Sequence, residues 1–356
     1  MLVAPLLWAQ EVRIHQAPLL NMPGVVDSNS PVFWRDGMLH IINSTGLPRV
    51  TVVPDQFSFE EGEVIGVSVD TQEHFPMWIE SVWQDEDGTL FAWYHHERVG
   101  VCKGSSLTMP EIGALVSLDG GSSYFDLGIV LAAGEAPDCS SQNGFFAGGH
   151  GDFSVIADPI AGYFYFLFDN YGGPAESQGV AVARMAMADR YQPAGAVFKY
   201  YQGDWNEPGV GGRVTPIFPS TVPWNRADTD SFWGPSVHWN SAINSYVVLL
   251  NRACCGPRWP QEGIYISFNP DLANPESWTR PERLLSAEEI GFAPGYYPQV
   301  IGLGPGETDT LAGNLARLYV KGASKWELEF IGNSPPAGAP ADSGSPLQKD
   351  PASPNR

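Results

Sequence analysis

Short runs in which β-branched and aromatic residues alternate with small or polar ones recur along most of the chain, each closed by a tight polar turn. A period of two is that of a half-buried β-strand. No stretch sustains the 3.6 period of a long amphipathic helix, and AEEIG (287–291) amounts to one turn. The runs group into a repeated unit: an acidic residue, an apolar strand, a polar turn, then a second strand dense in aromatics. Asp27 leads into PVFW, the turn RDG and MLHIIN; Glu80 leads into SVW, QDEDG and TLFAWY; Asp152 leads into FSVI, ADPIAG and YFYFLF. Copies at PSVHW…SYVVLL (235–250) and YPQVIG…ARLYVKG (297–322) bring the count to five.

A third strand follows each pair, at RVTVV (49–53), IGALVS (112–117), GVAVARM (179–185), GIYISF (263–268) and WELEFIG (326–332). Such a unit cannot bury both faces alone, and its repetition predicts the blades of a β-propeller. The expected architecture is all-β, a five-bladed β-propeller over 11–333, with EVRIHQ (11–16) as a closing strand. The longest insertion, 186–228, carries Trp205, GVGGR (209–213) and TPIFP (215–219), and is expected to fold over one face. If the first strands line the axis, the acids at their starts converge on one mouth.

Composition narrows the partners. A formal charge of −21 with 19 basic residues repels a phosphate backbone, which excludes nucleic acid, while a neutral glycan is indifferent to it. MLVAPLLWAQ (1–10) reads as the remnant of a signal peptide and is too short to span a bilayer, so no membrane partner is expected and the protein should be a secreted or periplasmic monomer. Cys254 and Cys255 are adjacent and Cys102 and Cys139 stand alone. That spacing does not suit zinc and leaves open a disulfide from Cys102 or Cys139 to one of the adjacent pair. The Pro- and Ser-rich tail, 334–356, has almost no large apolar residues and is expected to be disordered. SLDGGSSY (117–124) matches a turn that sialidases repeat, but it occurs once, and a hairpin held by the Asp119 side chain accounts for it.

Hydrolysis of a glycosidic bond needs one carboxyl group to protonate the leaving oxygen and a second to activate water or attack the anomeric carbon. The strand starts supply Asp27, Glu80, Asp152 and Asp230, and the third strands add Glu111 and Glu262. Asp27 serves either as a catalytic carboxylate or as a turn cap. Asp152 sits among Gly148, Gly149 and Gly151, where the backbone can approach a ligand or simply turn a corner. Glu262 lies near Trp259, and Glu80 follows Trp78; each is a candidate acid or a partner for Arg213 or Arg258. Trp78, Trp233 and Trp259, with His150 and Arg213, are the expected sugar contacts, since flat rings stack on the apolar faces of sugars. The histidines fall at no zinc spacing. No cofactor is expected, with a single axial Ca²⁺ near His150 or His238 left open.

The pattern resembles the five-bladed propeller glycoside hydrolases of families 43 and 62. These open blade one with an Asp base before a strand and a Gly-containing turn, as in Asp27-Ser-Asn-Ser-Pro-Val-Phe-Trp-Arg-Asp-Gly, and place a second Asp over a hundred residues later, as in Asp152-Phe-Ser-Val-Ile. MWIESVW (77–83) is similar to the family's Trp-Ala-Pro-Asp opening of blade two. The resemblance implies Asp27 as base, Asp152 as the group that orients the sugar and tunes the acid, and an arabinose- or xylose-containing substrate cleaved with inversion. It also implies a Glu before a small residue and Pro, where this chain reads Phe232-Trp233-Gly234-Pro235-Ser236. With Trp233 in the acid's place, the proton falls to Glu262 or Glu80, or the propeller binds sugar without cleaving it. A sialidase-like enzyme would need three arginines in the mouth.

Overall fold

The computed structural model describes residues 10–291 and 296–332. Five antiparallel sheets stand around an axis, each beginning with an inner strand: Val32–Arg35, Met77–Gln84, His150–Asp158, Asp230–Asn240 and Pro298–Gly302. The expected meanders follow outward from these. In blade three, for example, Tyr163–Asn170 and Gly179–Ala186 succeed the inner strand. Alternation puts aromatics between blades: Trp93 of blade two meets Phe164 and Phe166 of blade three at 5.0 and 5.7 Å between ring centroids. Burying each such ring contributes roughly 1.5–3 kcal/mol.

The ring closes as the sequence suggests. Glu11–Asn21 pairs antiparallel with Ala323–Ile331, with Glu11 opposite Ile331 and Asn21 opposite Ala323, and so becomes the outer strand of blade five. Residues 1–9 of the expected signal-peptide remnant and the whole of the expected tail, 334–356, lie outside the described residues. No helix among the described residues is long and apolar enough to cross a membrane.

The insertion 186–228 is not a cap. Val197–Tyr201 and Asp204–Pro208 extend blade three as two further strands, and Phe218–Pro219 pairs back onto Gly179–Val180. Trp205 packs on Tyr165 and Tyr200 along the blade's flank under the guanidinium of Arg184. Only the end of the insertion, at Trp224, returns to the mouth. The disulfides are Cys102–Cys139 and Cys254–Cys255, so neither lone cysteine joins the adjacent pair. Asp119 holds its hairpin by accepting from the Ser122 and Ser123 amides at 3.1 and 2.9 Å.

Three inner strands carry a bulge near their starts. The register slips between Ile79 and Ser81, between Gly151 and Phe153, and between Trp233 and Ser236. A bulge leaves one residue unpaired and re-aims its side chain. Here the unpaired residues include Glu80 and Asp152, and Asp152 takes the left-handed conformation, φ +40°, that non-glycine residues rarely adopt.

Candidate active site

A cavity of about 320 Å³ opens at the mouth where the inner strands begin. Its carboxylates are Asp27, Glu97 and Asp152, and Trp78, Trp233 and Trp259 form much of its aromatic wall. The wall is deep. Trp259 meets Trp224 at 4.5 Å and Trp233 at 5.3 Å, and stacks on Tyr171 at 5.6 Å. Arg258 and Trp259 both hold positive φ, +62° and +50°, a local strain that the packed aromatic cluster sustains.

Beneath the wall lies a buried polar network. Glu80 is 1% exposed and accepts from the Phe153 amide at 3.0 Å, with its other oxygen 3.2 Å from Nδ1 of His95. Burial pushes the Glu80 carboxyl up, and the His95 contact and the Phe153 amide pull against that. For His95, burial opposes the charge, but the hydrogen bond to Glu80 and the fields of Glu80, Asp152 and Glu97 outweigh it and raise the imidazole to about 9. Its Nε2 stands 4.0 Å from Glu97, which also accepts from the Thr108 hydroxyl at 2.9 Å. His95 is therefore an imidazolium at neutral pH, hydrogen-bonded to Glu80 through Nδ1, with Glu97 at the outer limit of an ion pair from Nε2.

Asp152 is 4% exposed and accepts from the Tyr171 hydroxyl. Burial lifts its carboxyl to about 7; His95 and Tyr171 oppose the shift and Glu80 adds to it. Deeper still, Asp169 accepts from the Gly234 amide at 2.7 Å, and burial with the neighbouring Asp152 pushes it well above the carboxylate range. Asp27 is the cavity carboxylate most open to solvent as a residue. Partial withdrawal of its carboxyl from water raises it, against the nearby indole N–H of Trp78 and the positive field of Lys321.

The sequence candidates thus divide. Asp27, Asp152, Trp78, Trp233 and Trp259 line one cavity, and Glu80 lies directly behind it. Glu262 is not among the lining residues: on the third strand of blade four it accepts from the Tyr265 hydroxyl at 2.6 Å and from Arg283 at 2.7 Å. Arg213 pairs with Glu207 at 2.9 Å on the flank of blade three, and Asp230 pairs with Arg252 at 2.8 Å. His150 packs on the ring of Phe168 at 4.8 Å, outside the lining. Glu97, Tyr171 and Asp169 were not singled out from sequence. Period two in FAWYHHE puts His95 and Glu97 on one face, which was the available signal for Glu97.

The residues do not fit an axial calcium ion, which takes six to eight oxygens. Glu80, His95 and Asp152 bring three ligand atoms within 4.8 Å of one another, but one is the nitrogen of an imidazole held protonated, and Glu80 already accepts from an amide. His238 faces the edge of Phe330 at 5.5 Å, and its pKa is lowered by burial alone. Asp230, Cys254 and Cys255 also cluster, but both sulfurs are in a disulfide.

No protein-family model matches the chain, and no curated protein matches it. Solved structures do. An α-L-arabinofuranosidase from Lactobacillus brevis is 11% identical with a TM-score of 0.54, covering 87% of this chain and 92% of its own. An endo-arabinase from Bacteroides thetaiotaomicron is 12% identical with a TM-score of 0.51, over 88% of this chain and 97% of its own. A thermostable family-43 glycoside hydrolase is 11% identical with a TM-score of 0.51, over 87% and 91%. At such identities the likeness is one of fold: the five-bladed propeller of these structures is also the architecture of this chain.

Proposed function

We propose that the protein is a glycoside hydrolase that cleaves a neutral glycan, arabinose- or xylose-containing, with inversion. The observation that carries the reading is the pair of carboxyl groups in one cavity with unlike surroundings: Asp27, on an exposed residue with its carboxyl only partly withdrawn from water, and Asp152, fully buried and raised to about 7. Environments that separate two carboxyls in this way assign acid and base roles. With its carboxyl lifted to about 7, Asp152 is protonated in about half of the molecules at neutral pH and in more of them below it, and that form gives its proton to the glycosidic oxygen as the C–O bond breaks. Asp27 takes a proton from the water that attacks the anomeric carbon, and the net change is addition of one water. Trp78 and the aromatic wall offer the apolar faces on which a sugar ring stacks.

Asp152 replaces Glu262 and Glu80 as the proposed donor, because Glu262 is held in ion pairs outside the cavity lining and Glu80 is held between an amide and an imidazolium. The fold shared with glycosidases supports the reaction class. The lining contains no arginine among the described residues, which speaks against a carboxylated sugar of the sialidase kind. One observation favours a second reading, a sugar-binding propeller without turnover: Trp233 stands where the resemblance expects the acid.

A panel of aryl glycosides and arabinan- or xylan-derived oligosaccharides separates the two. Asp27→Asn should lower kcat by about 10²–10⁴-fold, the usual worth of acid–base catalysis. Asp152→Asn should do the same for sugar leaving groups but much less for dinitrophenyl glycosides, which depart without a proton. Wild-type protein that binds oligosaccharides and hydrolyses nothing supports the binder, and a fully active Asp27→Asn variant removes the assignment of the base.

A further inference from the structure

At the other end of the inner strands, away from the carboxylates, lies a second cavity of about 410 Å³ bordered by blades two, three and four. Trp83 and Trp239 stand in it half-exposed. Each is held on edge by a neighbouring ring, Trp83 by Phe164 at 5.1 Å and Trp239 by Tyr246 at 4.8 Å. Ile160 on its rim is fully exposed. The single charged lining residue, Asp158, accepts from the amides of Ile160 and Ala161 at 3.1 and 2.9 Å. The groove is thus aromatic and almost without charge.

The described chain ends beside this groove. A Cβ on Gly332 would lie 2.1 Å from the carbonyl of Ala242, in the turn that joins the strands of Trp239 and Tyr246, which are cross-strand partners. Ala242 is three residues from Trp239, about 10 Å at the rise of a strand. The next residues read NSPPAGAPADSGSP (333–346), with prolines at 335, 336, 340 and 346 and no charge before Asp342. At ~3.1 Å per residue, a polyproline helix covers that distance in about four residues.

We propose that this groove binds the proline-rich segment 334–340 of the same chain as a polyproline ligand. Prolines carry a fixed φ, so little entropy is lost on docking, and aromatic-lined grooves are the usual partners of such segments. Neither side brings a charge that must shed water. The covalent link supplies an effective concentration in the millimolar range, so even a weak intrinsic contact is populated.

The test is a tryptophan-fluorescence titration of the full chain, and of a chain ended at Gly332, with a synthetic peptide of residues 333–346. Ending the chain there keeps all five blades and the closing pair Glu11–Asn21 with Ala323–Ile331. The shortened chain should bind the peptide, and the full chain should bind it at least tenfold more weakly because its own segment competes. Trp239→Ala, or Ile160→Glu on the rim should Trp239→Ala fail to fold, should abolish binding to the shortened chain, as should a peptide with its prolines replaced by alanine. Equal affinity for both chains, or no binding to either, overturns the proposal. Binding of xylo-oligosaccharides that depends on Trp239, with no binding of the peptide, would make the groove a sugar site and overturn it equally. None of these readouts depends on hydrolysis.

Discussion

The imidazole of His95 sets the charge state of the residues around it, and its behaviour with pH follows from where it sits. It is raised to about 9 although burial works against the charge, because Glu80, Asp152 and Glu97 all face it. The same cation opposes the upward shift of Asp152. Two consequences can be measured. The kcat/KM of the proposed hydrolase should fall above about pH 7, as Asp152 loses the proton it donates, and its acid limb should lie above the ordinary range of an aspartate, because Asp27 is also raised. His95→Gln removes the opposing charge, so the alkaline limb should move to higher pH; a limb that stays in place excludes Asp152 as its source. Stability has its own sign. A group raised from 6.5 to about 9 on folding contributes fully below pH 6.5 and loses that contribution as pH rises through 9. Asp152 acts in the same direction between its ordinary 3.8 and about 7. Wild-type Tm should therefore decline from mildly acid to alkaline pH. His95→Gln should also cost about 3–5 kcal/mol at neutral pH, because it leaves the buried Glu80 without its partner.

At the scale of the element, the bulges position the acids, and the bulge of blade three depends on a glycine. A Cβ at Gly151 would lie 2.8 Å from both Cε1 of His95 and Cβ of Pro110. Gly151→Ala should push the imidazole or the neighbouring strand aside, costing about 1–3 kcal/mol as other overpacked sites do, with a loss of kcat that thermal melts and kinetics at fixed pH can separate. An unchanged Tm and kcat would mean that the bulge tolerates the methyl. Much of this level could be read from the sequence. The five strand pairs, their third strands and the closing strand all follow from period two and the turns between. The bulges could not be read, because one inserted residue reverses which face every later side chain takes and leaves no mark on composition. Glu80 and Asp152 were found as the acids at strand starts, whereas the depth at which the bulges set them was not. Glu262 illustrates the opposite failure. Its neighbour Trp259 does reach the cavity, but Tyr265 and Arg283, one of them 21 residues away, hold the carboxylate elsewhere. The strands within 186–228 were missed because glycine and proline signals masked two short paired segments.

For the molecule as a whole, closure is the vulnerable feature. A propeller has no free inner edge, but its last blade must be completed by the chain's other end, and here the completing strand is mostly exposed and adds Val12 and Ile14 to the core of blade five, with Leu20 packing on the neighbouring cluster that holds Ile301 and Tyr319. Its apolar burial alone is modest. The stronger coupling is polar: Arg317 is 1% exposed, and its guanidinium donates to the carbonyl of Pro18 at 2.6 Å as well as to Ser324 and Glu327. Removing 11–21 withdraws that carbonyl, uncovers a buried cation and leaves Ala323–Ile331 as an open edge. An uncovered edge with Trp326, Leu328 and Phe330 on its inner face is a template for pairing with another chain. The expected outcome is a loss of up to about 3–5 kcal/mol from the broken Arg317 site, seen as a lower Tm, together with self-association on size-exclusion chromatography. Arg317→Met in the intact chain separates the two effects: it removes the charge that needs Pro18 while keeping the strand, so it should melt lower than wild type yet remain a single species. A truncated chain that stays monodisperse with an unaltered Tm would show that blade five is complete with three strands and that the N-terminal strand merely covers it.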